Sequence, residues 1–185
     1  MEMEIQQLLN PREQCLIYAL FEGIQGKEFG ELTALNMRQV KGNTLCLETR
    51  NVNVNPKLID LMEESTNAYE YMTYGEQQRT YPFDTLDDNV FKRTYNAKQE
   101  TQIRKRQRLY TALTRVKDYL GNPAINTSSL MESGRIDMVT QLMNKRHENL
   151  ETTLKSCAKE IANKYGRIAS IPNYILNYGR FYGGK

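Results

Sequence analysis

The stretch RHENLETTLKS, Arg146 to Ser156, holds the chain's only histidine, His147, with Ser156 nine residues beyond it. An imidazole can move protons near neutral pH. A serine hydroxyl with neither a base nor a charge clamp beside it is not an activated nucleophile. Read by itself, His147 is a polar residue at the start of a helix. The three cysteines, Cys15, Cys46 and Cys157, are odd in number and widely spaced. They suit buried thiols in a reducing cytoplasm, not a disulfide framework. With one histidine and no CxxC pair, no zinc site is expected, and nothing calls for another metal or a cofactor.

The second chemistry is ionic. The net charge of +3 is unevenly spread. Leu58 to Val90 carries eight acidic residues and one basic residue, Arg79, whereas Lys98 to Lys117 carries seven basic residues and one acid, Glu100. After Glu160 no acid remains, while Lys164, Arg167, Arg180 and Lys185 follow. Such asymmetry is the footprint of a polyanion binder or, more simply, a solvated helix face.

The elements that must position these groups are legible in part. Asn10-Pro11 opens a helix with Asn as cap and Pro at its first position, and Leu16, Ile17, Leu20 and Phe21 recur at helical spacing. Gly23 and Gly26 break it, and a second helix is expected from about Lys27 to Arg38. Gly42-Asn43 marks a turn, and alternation through Leu45, Leu47, Val52 and Val54 predicts a small antiparallel sheet over 40–54. Asn55-Pro56 caps a short helix through Ile59 and Met62. The tyrosine-rich segment 69–96 holds a hairpin or a loop insertion, whose tyrosines either stack on bases or pack against their neighbours. Helical spacing resumes over Lys98 to Leu120, with Ile103, Tyr110, Leu113, Val116 and Leu120 on one face, and Gly121-Asn122-Pro123 stops it. Three helices are expected at 124–133, 135–145 and 149–164, the first two separated at Ser133-Gly134. A short last helix, Asn173–Tyr178, follows Pro172. No apolar run approaches the roughly 20 residues of a membrane span, and the acidic N-terminus lacks a signal-peptide pattern.

Three stretches carry a resemblance. Gly23 to Val40 (GIQGKEFGELTALNMRQV) resembles a "G-x-R-x-x-E-L-x-x-L" helix entering a hairpin. Glu132 to Met143 (ESGRIDMVTQLM) is similar to a "G-x-D-x-x-x-V-x-x-L-L" helix pair, and HENLETT to a "GHSxxxTT" run. In this order they resemble the catalytic domain of the tyrosine recombinases, the phage-integrase family. The resemblance implies a mainly α fold with a small antiparallel β-sheet (α+β), spanning residues 1–185 as one domain. That family joins DNA through a tyrosine, with two arginines clamping the phosphate oxygens.

Position by position, the resemblance implies a dismantled site. The first clamp arginine belongs three residues before Glu31, where Glu28 stands; neighbouring Lys27 lies about 100° round a helix. The second falls on Pro123 or Ala124, and no basic residue or histidine occurs between Lys117 and Arg135. The nucleophilic tyrosine, nine residues after His147, is Ser156. Tyr165 is a conceivable substitute, and the hairpin lysine corresponds to Arg50 or Lys41.

What remains is a grip on duplex DNA. Its expected contacts are Arg38, Lys41, Arg50, Arg104, Lys105, Arg106, Arg108, Arg115, Lys145, Arg146 and His147. The resemblance extends to repressors of SPbeta-like phages built on a degenerate form of this fold. It therefore implies a sequence-specific regulator of lysogeny in a bacterial cytoplasm, associated with the nucleoid. The family's N-terminal core-binding domain is expected to be absent. Residues 168–185 either fold back or are exchanged between protomers, docking Ile171, Tyr174, Ile175, Tyr178 and Phe181 in a neighbour's groove. Two alternatives stand beside this reading: an active recombinase with unusual residues, and an interaction or anti-repressor module whose acidic 58–90 segment meets a basic partner.

Overall fold

A helix buried nearly all round organises the molecule. Helix α1 (Pro11–Phe21) buries Cys15, Leu16, Ile17, Tyr18, Ala19 and Leu20, and the helices that start at Pro56, Gln102 and Thr127 pack on its sides. The structure is a computed structural model and describes residues 6–95 and 101–182, with side chains through Arg180. Pro11 stands at the helix start as expected, but Asn10 does not cap it. Its side chain instead donates to the Met72 carbonyl at 2.9 Å and accepts from the Met72 amide at 2.8 Å. A tertiary partner with both a donor and an acceptor outcompetes the local cap.

After Gly23 and Gly26, both at positive φ, the expected second helix breaks up. A 3₁₀ turn, Lys27–Phe29, leads into the single-turn helix α2 (Gly30–Thr33), and a second 3₁₀ turn spans Met37–Gln39. Glu28 (φ 52°) and Phe29 (φ 63°) occupy the left-handed region. That conformation is strained for residues bearing a Cβ and persists only where the surroundings enforce it. Here the enforcement is burial: Phe29 is fully enclosed, its ring centroid 4.3 Å from that of Tyr110.

Strands β1 (Val40–Lys41), β2 (Thr44–Cys46) and β3 (Asn51–Asn53) form the expected antiparallel sheet. Leu45 pairs with Val40 and Val52, and Leu45 and Val52 both face the core, as the alternation of side chains predicts. Helix α3 (Pro56–Asn67) runs a turn longer than expected and buries Leu58, Leu61 and Met62 against α1; Asn55 caps it through the Lys57 amide at 3.0 Å. Segment 69–95 is a hairpin, β4 (Glu70–Met72) with β5 (Thr80–Pro82), followed by a loop. Asn89 ties that loop to the Thr33 carbonyl at 2.8 Å, and the Ser65 hydroxyl donates to the Val90 carbonyl at 2.6 Å. Of the segment's tyrosines, Tyr71 is buried, whereas Tyr69, Tyr81 and Tyr95 are exposed.

Helix α4 (Gln102–Tyr119) buries Leu109, Ala112, Leu113 and Val116, while Ile103 and Tyr110, expected on that face, are exposed. Residue 98 lies outside the described residues. Helix α5 (Thr127–Arg146) is continuous through Ser133-Gly134, where a break was expected. A Cβ at 134 would overlap the Phe21 carbonyl oxygen, so Gly134 permits close approach of α1 and does not end a helix. Conversely, the expected 149–164 helix kinks at Cys157 into α6 (Leu150–Ser156) and α7 (Ala158–Tyr165). Helix α8 (Ile171–Tyr182) extends beyond both expected ends. Cys15 and Cys157 are buried, Cys46 is half-buried, and all three are free thiols.

Among the described residues two apolar clusters result. The larger centres on α1, α3, α4 and the sheet. The smaller joins Ile136 and Val139 of α5 to Leu154, Cys157, Ile161 and Tyr174. Ile171, Ile175 and Tyr178 pack on this smaller cluster, and the Tyr178 and Thr140 hydroxyls are 2.6 Å apart. The tail thus folds back on its own domain; the Phe181 side chain lies outside the described residues. Among the described residues no helix is long and apolar enough to cross a membrane.

Candidate nucleic-acid interface

Glu28 sits on the left-handed turn ahead of α2, its side chain mostly exposed. The Arg106 guanidinium of α4 pairs with it at 2.5 Å. A carboxylate therefore stands where the resemblance requires a guanidinium, and a cation arrives beside it from another element. Lys27, next in the chain, is exposed.

Three residues on, Glu31 belongs to an internal staple. Arg50 donates to both its carboxylate oxygens, through Nε and Nη2, at 2.7 Å each. Arg50 also donates to the carbonyls of Gly23 and Lys164 at 2.8 Å each, and to that of Asn163. The Gln25 amide donates to Glu31 at 3.0 Å. Arg50 was expected on the DNA; instead all three guanidinium nitrogens are engaged within the protein. They tie the loop after α1, the end of the β2–β3 hairpin and the end of α7 together. A bidentate guanidinium–carboxylate pair with carbonyls completing the donor set is the geometry in which a partly buried arginine holds structure. Lys41, the other residue expected at the hairpin lysine position, is exposed at the end of β1.

Pro123 and Ala124 lie exposed in the turn between α4 and α5. Ala124 takes part in local bonds only, accepting from Asn126 and Ser129 and donating to Asn122 at 3.1 Å. His147 terminates α5: it is the C-cap residue, at φ 55°, so its expected place at the start of a helix is corrected to the end of one. Lys145 and Arg146 fill the last turn, where cations complement the negative end of the helix dipole.

Ser156 ends α6, its hydroxyl donating to Glu148 at 3.0 Å and close to the Thr153 carbonyl at 3.4 Å. Glu148 also receives the hydroxyl of the buried Thr153 at 3.4 Å. The reading of the sequence missed Glu148, although its place immediately after the sole histidine was visible. Its carboxylate thus holds both the Ser156 and the Thr153 hydroxyls. Tyr165, the conceivable substitute nucleophile, is buried and donates to the Phe21 carbonyl at 2.8 Å. Burial first, then the Glu22 and Asp137 carboxylates, push its phenol well above the usual tyrosine range. So enclosed, the phenol serves as a hydrogen-bond donor that ties α7 to the end of α1.

The cations of α4 do not form one surface. Arg106 and Arg108 are two residues apart, about 200° round the helix. Arg106 reaches Glu28, whereas Arg108 donates to the Phe91 carbonyl at 2.6 Å, and Arg115, seven residues further, donates to the Tyr71 hydroxyl at 3.1 Å. The cluster expected from Arg104 to Arg115 is therefore spread over two sides of the helix, with Arg108 and Arg115 turned toward the β4–β5 hairpin. Arg104 is exposed and Lys105 half-exposed. Arg38 is exposed and pairs with Asp88 at 2.8 Å, while Arg93 pairs with Asp84 at 2.6 Å. Part of the acidic 58–90 segment is thus neutralised within the domain. Among the described residues no group of three histidine, cysteine or carboxylate side chains is placed to hold a metal ion.

No curated protein matches this chain. A family model does, over residues 1–178, and it is described as the MrpR C-terminal catalytic domain. A mainly helical domain with small antiparallel sheets is the architecture consistent with that match. The chain belongs to the MrpR C-terminal catalytic domain family, a tyrosine-recombinase-like catalytic domain.

Proposed function

We propose that this domain grips duplex DNA without cutting it, and that it serves as a sequence-specific regulator of a phage or mobile element. The observation that carries the reading is Glu28 held against Arg106 at the first clamp position. Phosphoryl transfer needs positive charge on the nonbridging oxygens as negative charge develops there. A carboxylate at that point opposes it, and its pairing with Arg106 neutralises the nearest guanidinium. Ser156 bonded to Glu148, and Tyr165 enclosed against Phe21, supply no nucleophile in compensation.

A grip asks less than a cut. Phosphate contacts supply most non-specific affinity and require only cations and backbone donors along the duplex. The surface that supports this role comprises Arg38, Lys41, Arg104, Lys105, Lys145, Arg146 and His147. The tail, packed in cis on α5 and α6, is not needed to complete that surface.

The test is fluorescence anisotropy of the whole chain on duplex fragments, across a salt series, with a covalent-trapping assay on nicked suicide duplexes. The reading expects log affinity to fall linearly with log salt, by about 0.9 per phosphate contact. The double charge reversal R104E/K105E should weaken binding to all sequences alike. No covalent adduct should form. A trapped adduct would establish an active recombinase and overturn the reading, as would salt-independent binding.

A further inference from the structure

The three-stranded sheet ends on an edge that opens into a cleft. Strand β3 pairs with β2 on one side only. The ladder fixes which of its backbone groups are used there. Leu47 donates to the Arg50 carbonyl and Val54 to the Asn43 carbonyl, each at 2.9 Å. Bonded pairs alternate along an antiparallel ladder, so Val52 opposite Leu45 is the bonded pair between these two. Asn51 and Asn53 therefore turn their amides and carbonyls away from β2.

Two neighbouring edge groups are taken up within the domain. The Asn163 side chain of α7 donates to the Asn51 carbonyl at 2.9 Å, and the Asn55 amide donates to Glu22 at 3.3 Å. Between them, the Asn53 amide and carbonyl have no partner among the described residues. The edge thus presents one donor and one acceptor on the same residue. A polypeptide in extended form offers the matching acceptor and donor on one residue, and an added strand is held in this way.

An open edge is common in sheets and is usually blunted. Here it faces a cleft of about 1030 Å³ between β3, α1, α5 and α7. That volume stands at the top of the roughly 300–1,000 Å³ usual for binding sites. The α5 wall carries Met138 and Leu142, both half-buried and four residues apart, hence neighbours on one side of the helix. Side chains alternate along an extended segment, so every second one points to a common side while the backbone pairs with Asn53. Three carboxylates, Glu22, Asp137 and Glu160, and two ammonium groups, Lys145 and Lys164, line the cleft. It therefore holds no positive excess to draw a phosphate chain, and a neutral or basic occupant suits it.

We propose that this cleft takes an extended segment of a partner polypeptide, neutral or basic, which adds to the edge of β3 by exchanging two backbone hydrogen bonds with Asn53 and sets apolar side chains on Met138 and Leu142. Neither Asn53, Met138 nor Leu142 belongs to the surface assigned above to the duplex, so the two readings stand or fall separately.

Titration of the isotope-labelled whole chain with a positional scan of acetylated, amidated pentapeptides, followed by amide NMR, tests this. At least one peptide should saturate with a Kd below about 1 mM, moving the Asn53 amide resonance and slowing its hydrogen exchange. The same peptide N-methylated at its central residue keeps its side chains but cannot donate, and should bind about tenfold more weakly or worse. N53P removes the edge amide, a change tolerated on an edge strand, and should weaken the peptide similarly, with thermal stability retained as a check on folding. R104A should leave peptide binding unchanged. No saturating peptide overturns the proposal, as does an N-methylated peptide that binds like its parent. A short oligo-dA that moves the Asn53 resonance overturns it in favour of nucleic acid. Movement of that resonance with protein concentration alone overturns it in favour of a second copy of this chain.

Discussion

Replacing Gly134 by alanine tests the close approach on which the α1–α5 packing rests. In an isolated helix the change would stabilise by about 1 kcal/mol, because alanine restricts the unfolded chain and favours the helix. Here the new Cβ would overlap the Phe21 carbonyl oxygen and lie 2.7 Å from its carbon and 2.8 Å from the Tyr165 hydroxyl, where ordinary contacts are 3.4–4 Å. The obstacle is backbone, which cannot rotate away as a flexible side chain can. Overpacking of this kind costs about 1–3 kcal/mol, and the upper end applies when helices must separate. Separation also strains the Tyr165-to-Phe21 hydrogen bond, worth about 1 kcal/mol. The net expectation is a loss of about 2–3 kcal/mol, the clash outweighing the propensity gain. For a domain of this size that lowers Tm by roughly 4–12 °C. Thermal melts followed by circular dichroism, with urea titration for the free energy, measure it. If G134A melts at or above the parent temperature, Gly134 is a helix break and the described approach of α1 to α5 is wrong.

R50M should cost about 3–5 kcal/mol, because it leaves the Glu31 carboxylate without its bidentate partner, whereas R104A should stay within about 0.5 kcal/mol; urea midpoints of the two variants compare the staple with the surface. Y165F removes a buried donor and should lose about 1 kcal/mol or somewhat more, with duplex affinity unchanged; a loss of DNA joining instead would restore Tyr165 as a nucleophile. Glu13 sets a pH dependence. Burial, opposed by Arg12, holds its carboxyl above the ordinary value of 4.5. The folded state therefore keeps the proton more tightly than the unfolded chain. The stabilisation is fully present below about pH 4.5 and is lost as pH rises through the folded value. The stability of the parent relative to E13Q should decline over that window in urea titrations, and a flat difference would refute the assignment.

Residues near in the chain were the legible ones. Pro11, Gly23, Gly26, the Gly42-Asn43 turn and the alternation at Leu45 and Val52 act through local backbone preferences. Helix α1, the three-stranded sheet and the start of α3 are accordingly found where local rules put them. Those rules failed where a distant partner intervened. Met72 draws Asn10 away from its capping role, and burial of Phe29 forces Glu28 and Phe29 into the left-handed region. Phe21 makes Gly134 a packing residue inside a continuous helix. In the candidate site, the order of Glu28, Glu31, His147 and Ser156 was visible at once, while the fate of the arginines was not. Arg50 and Arg106 are equally cationic on the page. One is enclosed by acceptors from 23, 31, 163 and 164, and the other meets Glu28 at the surface.

Sequence by itself determined which chemical groups exist: one imidazole, no tyrosine at the expected place, and a surplus of cations over 98–117. Which of the described ones face solvent and which are tied into structure was decided by tertiary packing alone. The reason is that a guanidinium reaches several ångströms beyond its backbone. Its partners are set by whatever the fold brings within that reach, and neighbours along the chain do not encode it.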